Sequence, residues 1–173
     1  MINEAQRDLE EAGYPDVSMQ VGDATHLPFP DNSFDKILCS EVIEHIPDAD
    51  KAVGEMFRVL KRGGRLVIST PNCRSLYGFD RYIIWEKIFR KKWNHPFDEW
   101  RSMDQLCSML ERHAFQVVKR KSICYVPGFI LTYFLPWKFA QRLLIKCVSV
   151  VEPVMARLFA KYGYLLCVTA VKE

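Results

Sequence analysis

At 173 residues with a net charge of +3, the chain is sized for one compact domain, and its basic excess is too small for a nucleic-acid-binding stripe. An apolar fraction of 49% and a charged fraction of 26% exclude a disordered or fibrous chain. Six cysteines without a C-x-x-C pair exclude a zinc or disulfide framework and read as reduced core thiols of a cytoplasmic protein, and the charged stretch Met1 to Gly13 lacks the apolar run of an export signal.

Ile2 to Ala12 carries apolar residues at helical spacing and is stopped by Gly13-Tyr14-Pro15, so the chain opens on a helix. Val17 to Val21 alternates with period two and ends at Gly22-Asp23, the pattern of a short strand and a turn. Leu27 to Ser33 reads as loop. Phe34 to Cys39 is a second strand, apolar toward its end as a strand covered on both faces would be. From Asp48, the residues Ala52, Val53, Met56, Phe57 and Leu60 recur at three- and four-residue steps until Gly63-Gly64, which predicts a helix with one buried face. Arg65 to Thr70 is a third strand, closed by Pro71. Helices between hydrophobic strands predict a parallel α/β sheet covered by helices and joined by right-handed crossovers.

Beyond Pro71 the pattern loosens. Arg74 to His95 mixes aromatic and basic residues and reads as partly helical. Ser102 and Gln105 have the spacing of a capping box for a helix that turns Leu106, Met109 and Leu110 inward. Phe115 to Arg120 reads as a strand. Pro136 to Lys161 is a long apolar segment with Lys138, Arg142 and Lys146 spaced by four, interrupted at Pro153, and Tyr164 to Val171 is a closing strand.

Three stretches in order resemble the class I S-adenosylmethionine-dependent methyltransferases. They are Val21-Gly22-Asp23-Ala24 with Leu27-Pro28-Phe29; Phe34-Asp35 through Glu41-Val42-Ile43-Glu44-His45-Ile46-Pro47; and Val59 to Gly64 running into Val67 to Asn72. The resemblance implies a Rossmann-like sheet filling a single domain over 1–173, with acceptor-site or lid insertions at 74–100 and 123–161. It also implies methyl transfer from S-adenosylmethionine to a small-molecule or lipid-like acceptor. Gly22, Asp23, Ala24, Ser40 and Glu41 would then hold the cofactor, with Asp23 facing the adenine amino group and the Ala24 backbone N–H reaching the ring. Ligands of open α/β sheets bind beyond the C-terminal strand ends, where Ser40 and Glu41 follow the second strand.

Glu41 and His45 are the catalytic candidates, since a base assists transfer to a hydroxyl acceptor. Glu41, Glu44 and His45 together form a candidate divalent-metal set, as in quinone-biosynthesis relatives within the family; the competing reading gives His45 a purely structural hydrogen bond. The glycine-rich loop that follows the family's first strand has no counterpart in this sequence, because Gly13 is isolated and Gly63-Gly64 follows a helix. The sheet is therefore expected to be incomplete at its N-terminal side, either as part of a longer chain or as a noncatalytic binding module completed by a partner. Tyr125 to Trp137, uncharged and aromatic, followed by the basic residues Lys138, Arg142 and Lys146, is expected either to lie peripherally on a membrane or to cap the acceptor pocket.

Overall fold

The computed structural model describes residues 2–79, 86–88, 90, 97–125 and 138–173. Among them, strands β1 (Phe34–Ser40), β2 (Leu60–Pro71), β3 (Phe115–Ile123) and β4 (Leu165–Lys172) form one sheet in the order β1-β2-β4-β3. β1 and β2 are parallel, with Ser40 opposite Ser69, whereas β4 runs antiparallel to both β2 and β3. The sheet is thus mixed where the pattern of elements predicts a parallel one. β4 follows β3 only after residues 124–164 and enters antiparallel between β2 and β3.

Among the described residues the helices are α1 (Ile2–Glu11), α2 (Ala49–Val59), α3 (Leu76–Phe79), α4 (Met103–Arg112) and α5 (Lys138–Leu158), with a 3₁₀ turn at Ile43–His45. Asp48 caps α2 by accepting the Lys51 N–H, and Ala52, Val53 and Met56 make its buried face. α2 ends at Val59 rather than at Gly63-Gly64, which instead lies inside β2. There the register against β1 slips between Phe34 and Lys36, and Gly63 takes a φ of 74° that suits glycine. Lys172 closes the end of α2: its ammonium donates to the carbonyls of Phe57 and Leu60, both at 2.7 Å, and lies 4.6 Å from the Phe57 ring centre. The predicted capping box of α4 is present, with Leu106, Met109 and Leu110 buried behind it.

Leu66 and Ile68 of β2 and Leu166, Val168 and Ala170 of β4 share the sheet face packed under α2 and α4. The opposite face, with Val67, Cys167, Thr169 and Val171, is half-buried. β1 forms the sheet edge and Leu38 is 73% exposed, so this strand is not covered on both faces as its composition predicts.

Val17 to Val21 is not a strand. Its alternating pattern has no neighbouring strand among the described residues, and two of its backbone groups pair with the Gln6 side chain instead. The Gln6 side chain donates to the Val17 carbonyl at 2.8 Å and accepts the Met19 N–H at 3.2 Å. α5 runs through Pro153 without the predicted interruption. Of the aromatic and basic stretch Arg74 to His95, Tyr82, Trp85, Phe89 and Trp93 lie outside the described residues, as do 126–137 and the side chains of Lys138 and Arg142.

Candidate functional site

Because β1 and β2 are parallel, their C-terminal ends open at the same side of the sheet, and the chain reverses there through Glu41. Glu41 has a φ of 54°, a left-handed conformation that costs a non-glycine residue about 1–2 kcal/mol. Such outliers collect at functional sites. The Glu41 N–H donates to the Ser69 carbonyl at 3.2 Å, and the Ser69 hydroxyl donates to the Glu41 carboxylate at 2.9 Å. The Ser40 and Ser69 hydroxyls are 3.2 Å apart, so a run of hydrogen-bonding groups joins Ser40 to Glu41. Burial pushes the Glu41 carboxyl up; the Ser69 hydrogen bond opposes that shift and the nearby Glu44 charge reinforces it.

Glu44 is 1% exposed and accepts from the Thr70 hydroxyl at 3.2 Å. Its carboxyl is likewise raised, chiefly by burial. His45 stays partly exposed; its Nδ1 is 3.3 Å from the Phe97 carbonyl and 3.9 Å from Asp98, while Nε2 is 3.9 Å from Glu44. Cys39, under the same turn, is pushed up to about 11 by burial and the Glu44 charge, which leaves it an unreactive core thiol. All six cysteines are free.

Glu41, Glu44 and His45 are thus neighbours, but they do not form a ligand set. Glu41 turns to Ser69 and Glu44 inward to Thr70, and no grouping of three His, Cys, Asp or Glu side chains suited to a metal occurs among the described residues. The geometry does not support a metal held by these three residues.

Residues that sequence reasoning passed over complete the site. Ser69 and Thr70 are placed by the β1–β2 register, just ahead of Pro71 at the end of the strand. Asp98 has a side chain only 5% exposed and accepts from the Trp100 indole at 2.9 Å. It arrives by way of the Glu99 N–H, which donates to the Glu44 carbonyl at 2.9 Å, a long-range contact with no local signature. Tyr164, Tyr77 and Trp100 form an aromatic wall, with Tyr77 and Trp100 ring centres 4.8 and 5.7 Å from that of Tyr164. Burial raises the Tyr164 hydroxyl, and the charges of Glu41, Asp98 and Glu44 add to the shift, so these rings border the carboxylates. Asn72, fully buried, ties the same end together by donating to the carbonyls of Lys161 and Gly163.

The Gly22-Asp23-Ala24 turn lies beside the first turn of α2, since the Lys51 ammonium is 2.8 Å from Nε2 of His26. One oxygen of Asp23 accepts both the N–H and the hydroxyl of Thr25, at 2.8 and 2.9 Å. Those bonds hold the carboxyl below its ordinary range, while the second oxygen lies 3.7 Å from Nδ1 of His26. Gly22 and Ala24 border a largely apolar groove of about 480 Å³, closed by Leu9, Met19, Leu27 and Phe29. A side chain added at Gly22 would meet no protein atom, so the space over its backbone is open to a flat ring. The groove's floor is fixed to α2 by Arg58, which donates to the carbonyls of Leu27 and Phe29 and pairs with Glu55 and Asp31.

Residues 1–68 match the family described as methyltransferase domain. A demethylmenaquinone methyltransferase of Anoxybacillus flavithermus is 31% identical over 136 residues, which cover 70% of this chain and 57% of the relative. The chloroplastic tocopherol O-methyltransferase of Arabidopsis thaliana is 37% identical over 105 residues, 59% of this chain and 30% of its own. The crystal structure of the YcgJ protein of Bacillus subtilis superimposes with a TM-score of 0.61 at 22% identity, over all of this chain and 78% of that one.

Residues 1–68 thus match a methyltransferase domain, and the chain has the fold of S-adenosylmethionine-dependent methyltransferases. The chain spans about half the length, or less, of the curated relatives it matches. Its residues suit the adenine end of S-adenosylmethionine, with an open apolar slot over Gly22 and an ionised acceptor at Asp23. The 173 residues contain no glycine-rich loop for the cofactor's methionine end.

Proposed function

We propose that the chain carries the adenine-side and acceptor-side residues of an enzyme that transfers a methyl group from S-adenosylmethionine to a small, lipid-like acceptor. The observation that carries this reading is the pairing of an ionised Asp23 beside an open slot with a strained Glu41 turn at the ends of β1 and β2. When bound, the cofactor supplies an electrophilic methyl on a sulfonium.

In this reading Gly22 and Ala24 line the ring's slot and Asp23 accepts from its exocyclic amine. Glu41, steadied by Ser69 and Ser40, lies where the methyl end is expected. The Tyr77, Trp100 and Tyr164 wall gives an apolar or aromatic acceptor a surface to lie against. In-line displacement needs alignment more than a protein nucleophile. His45, partly exposed with Nδ1 against the Phe97 carbonyl, is the candidate in this reading to take a proton from a hydroxyl acceptor. The demethylmenaquinone and tocopherol relatives are named for lipid-like acceptors, which favours that class.

Adenosine is the direct probe, because it reports the adenine side without needing the methionine end. In an NMR titration it should shift the Gly22 and Ala24 amides, and Asp23→Ala should weaken binding about tenfold while leaving the fold intact. Shifts confined to other residues, or an affinity indifferent to Asp23→Ala, would remove this turn from the cofactor site.

A further inference from the structure

The described part of α5 has two unlike sides. Its one acidic residue, Glu152, turns inward and accepts the Tyr125 N–H at 3.1 Å. Met155 and Ala156 are likewise partly covered. The outward side exposes Val150, Val154 and Leu158 at four-residue steps, 75%, 55% and 69% exposed respectively, a continuous apolar stripe. Val151, Phe159 and Tyr162 widen it. The charged side chains along this exposed stretch are Lys146, Arg157 and Lys161, all cations. A stripe of this kind on a monomer's surface marks an interaction site.

We propose that this face of α5 docks on an anionic lipid surface, with Val150, Val154, Leu158 and Phe159 entering the headgroup region and Lys146, Arg157 and Lys161 pairing with lipid phosphates. The charge pattern selects this occupant. A second copy docking face to face would bring like charges together, whereas an anionic bilayer complements both the apolar stripe and its cations. No helix among the described residues is long and apolar enough to cross a membrane, which fits a helix lying in the surface plane.

The placement also has a use. The segment leaving α5 is pinned to the site end of β2, because Asn72 donates to the carbonyls of Lys161 and Gly163 and the next residue, Tyr164, belongs to the aromatic wall. Docking α5 therefore brings the aromatic wall close to the bilayer, the reservoir of a lipid-like acceptor. The use rests on the proposed methyl transfer; the docking does not.

Co-sedimentation tests it without an activity assay. The chain should pellet at low salt with vesicles of phosphatidylcholine and phosphatidylglycerol at three to one, and pellet far less with phosphatidylcholine alone or at high salt. Val150→Asp/Val154→Asp and Lys146→Glu/Arg157→Glu/Lys161→Glu should each lower the partition coefficient by at least about tenfold with the circular dichroism unchanged. Reversing Lys36, Arg62 and Arg65, exposed toward the opposite end of the sheet, should change it little beyond the effect of net charge. Failure to pellet at low salt would overturn the proposal. So would equal losses in the two charge-reversed triples, or a dimer in sedimentation velocity that Val150→Asp/Val154→Asp dissociates. Failure of adenosine to bind, with pelleting intact, would overturn the cofactor reading alone.

Discussion

The buried carboxylates set the chemistry and a measurable part of the pH behaviour. Glu44 is all but inaccessible, and burial raises its carboxyl above the ordinary value of 4.5. A native state whose carboxyl is raised holds a proton that the unfolded chain has already released, so stability is highest at low pH and falls as pH rises from 4.5 toward the folded value. Glu41 contributes in the same direction. Glu44→Gln keeps an oxygen for the Thr70 hydroxyl but removes the charge. It should therefore be more stable than the parent at neutral pH, with the difference shrinking as pH falls to 4.5, measured by urea denaturation across that range. A variant destabilised at neutral pH, and more so there than at pH 4.5, would show that the ionised Glu44 supports the fold. The residue scale also marks where sequence reading stops. Glu41, Glu44 and His45 stand out because they are adjacent in the chain, while Asp98 and Tyr164 join them only through contacts from far along it.

Elements whose signals are local came through well. The capping box at Ser102 and Gln105, the buried face of α2 and the strand β3 beginning at Phe115 are all where side-chain chemistry puts them. Elements that depend on a neighbour did not. Val17 to Val21 has a strand's alternation, but the Gln6 side chain takes its backbone groups instead. Gly63-Gly64 looks like a helix stop, yet the helix has already ended under the Lys172 ammonium, and the glycines serve the register slip in β2. The end of α4 is a case where the local rule is broken and the cost is testable. Ala114, with a φ of 60°, occupies the left-handed position after the helix cap that glycine fills most readily. Relief of that strain, less glycine's greater freedom in the unfolded chain, should make Ala114→Gly more stable by about 0.5–1 kcal/mol in chemical denaturation. No gain would mean that the α4–β3 junction tolerates this conformation without strain.

For the whole molecule, the α/β class and the family are legible from three short stretches in the first half of the chain, because each joins a strand end to a turn of defined chemistry. The mixed direction of the sheet is not, since alternating helices and strands do not reveal that β4 enters between β2 and β3. Nor does composition show that β1 stands at the sheet edge with Leu38 exposed. That edge and the groove bordered by Gly22 and Ala24 support the proposal that these residues form the adenine and acceptor sides of a methyltransferase site, with no glycine-rich methionine cradle among the 173 residues. The direct measurement is calorimetric titration with S-adenosylmethionine of two proteins. One is the chain itself; the other is a chimera in which the segment of the Anoxybacillus demethylmenaquinone methyltransferase that precedes its matched 136 residues is fused ahead of Met1. The account predicts weak or undetectable binding by the chain and micromolar binding by the chimera, lost again in the chimera's Asp23→Ala variant. Micromolar binding by the chain alone, or a folded chimera that does not bind, would contradict it.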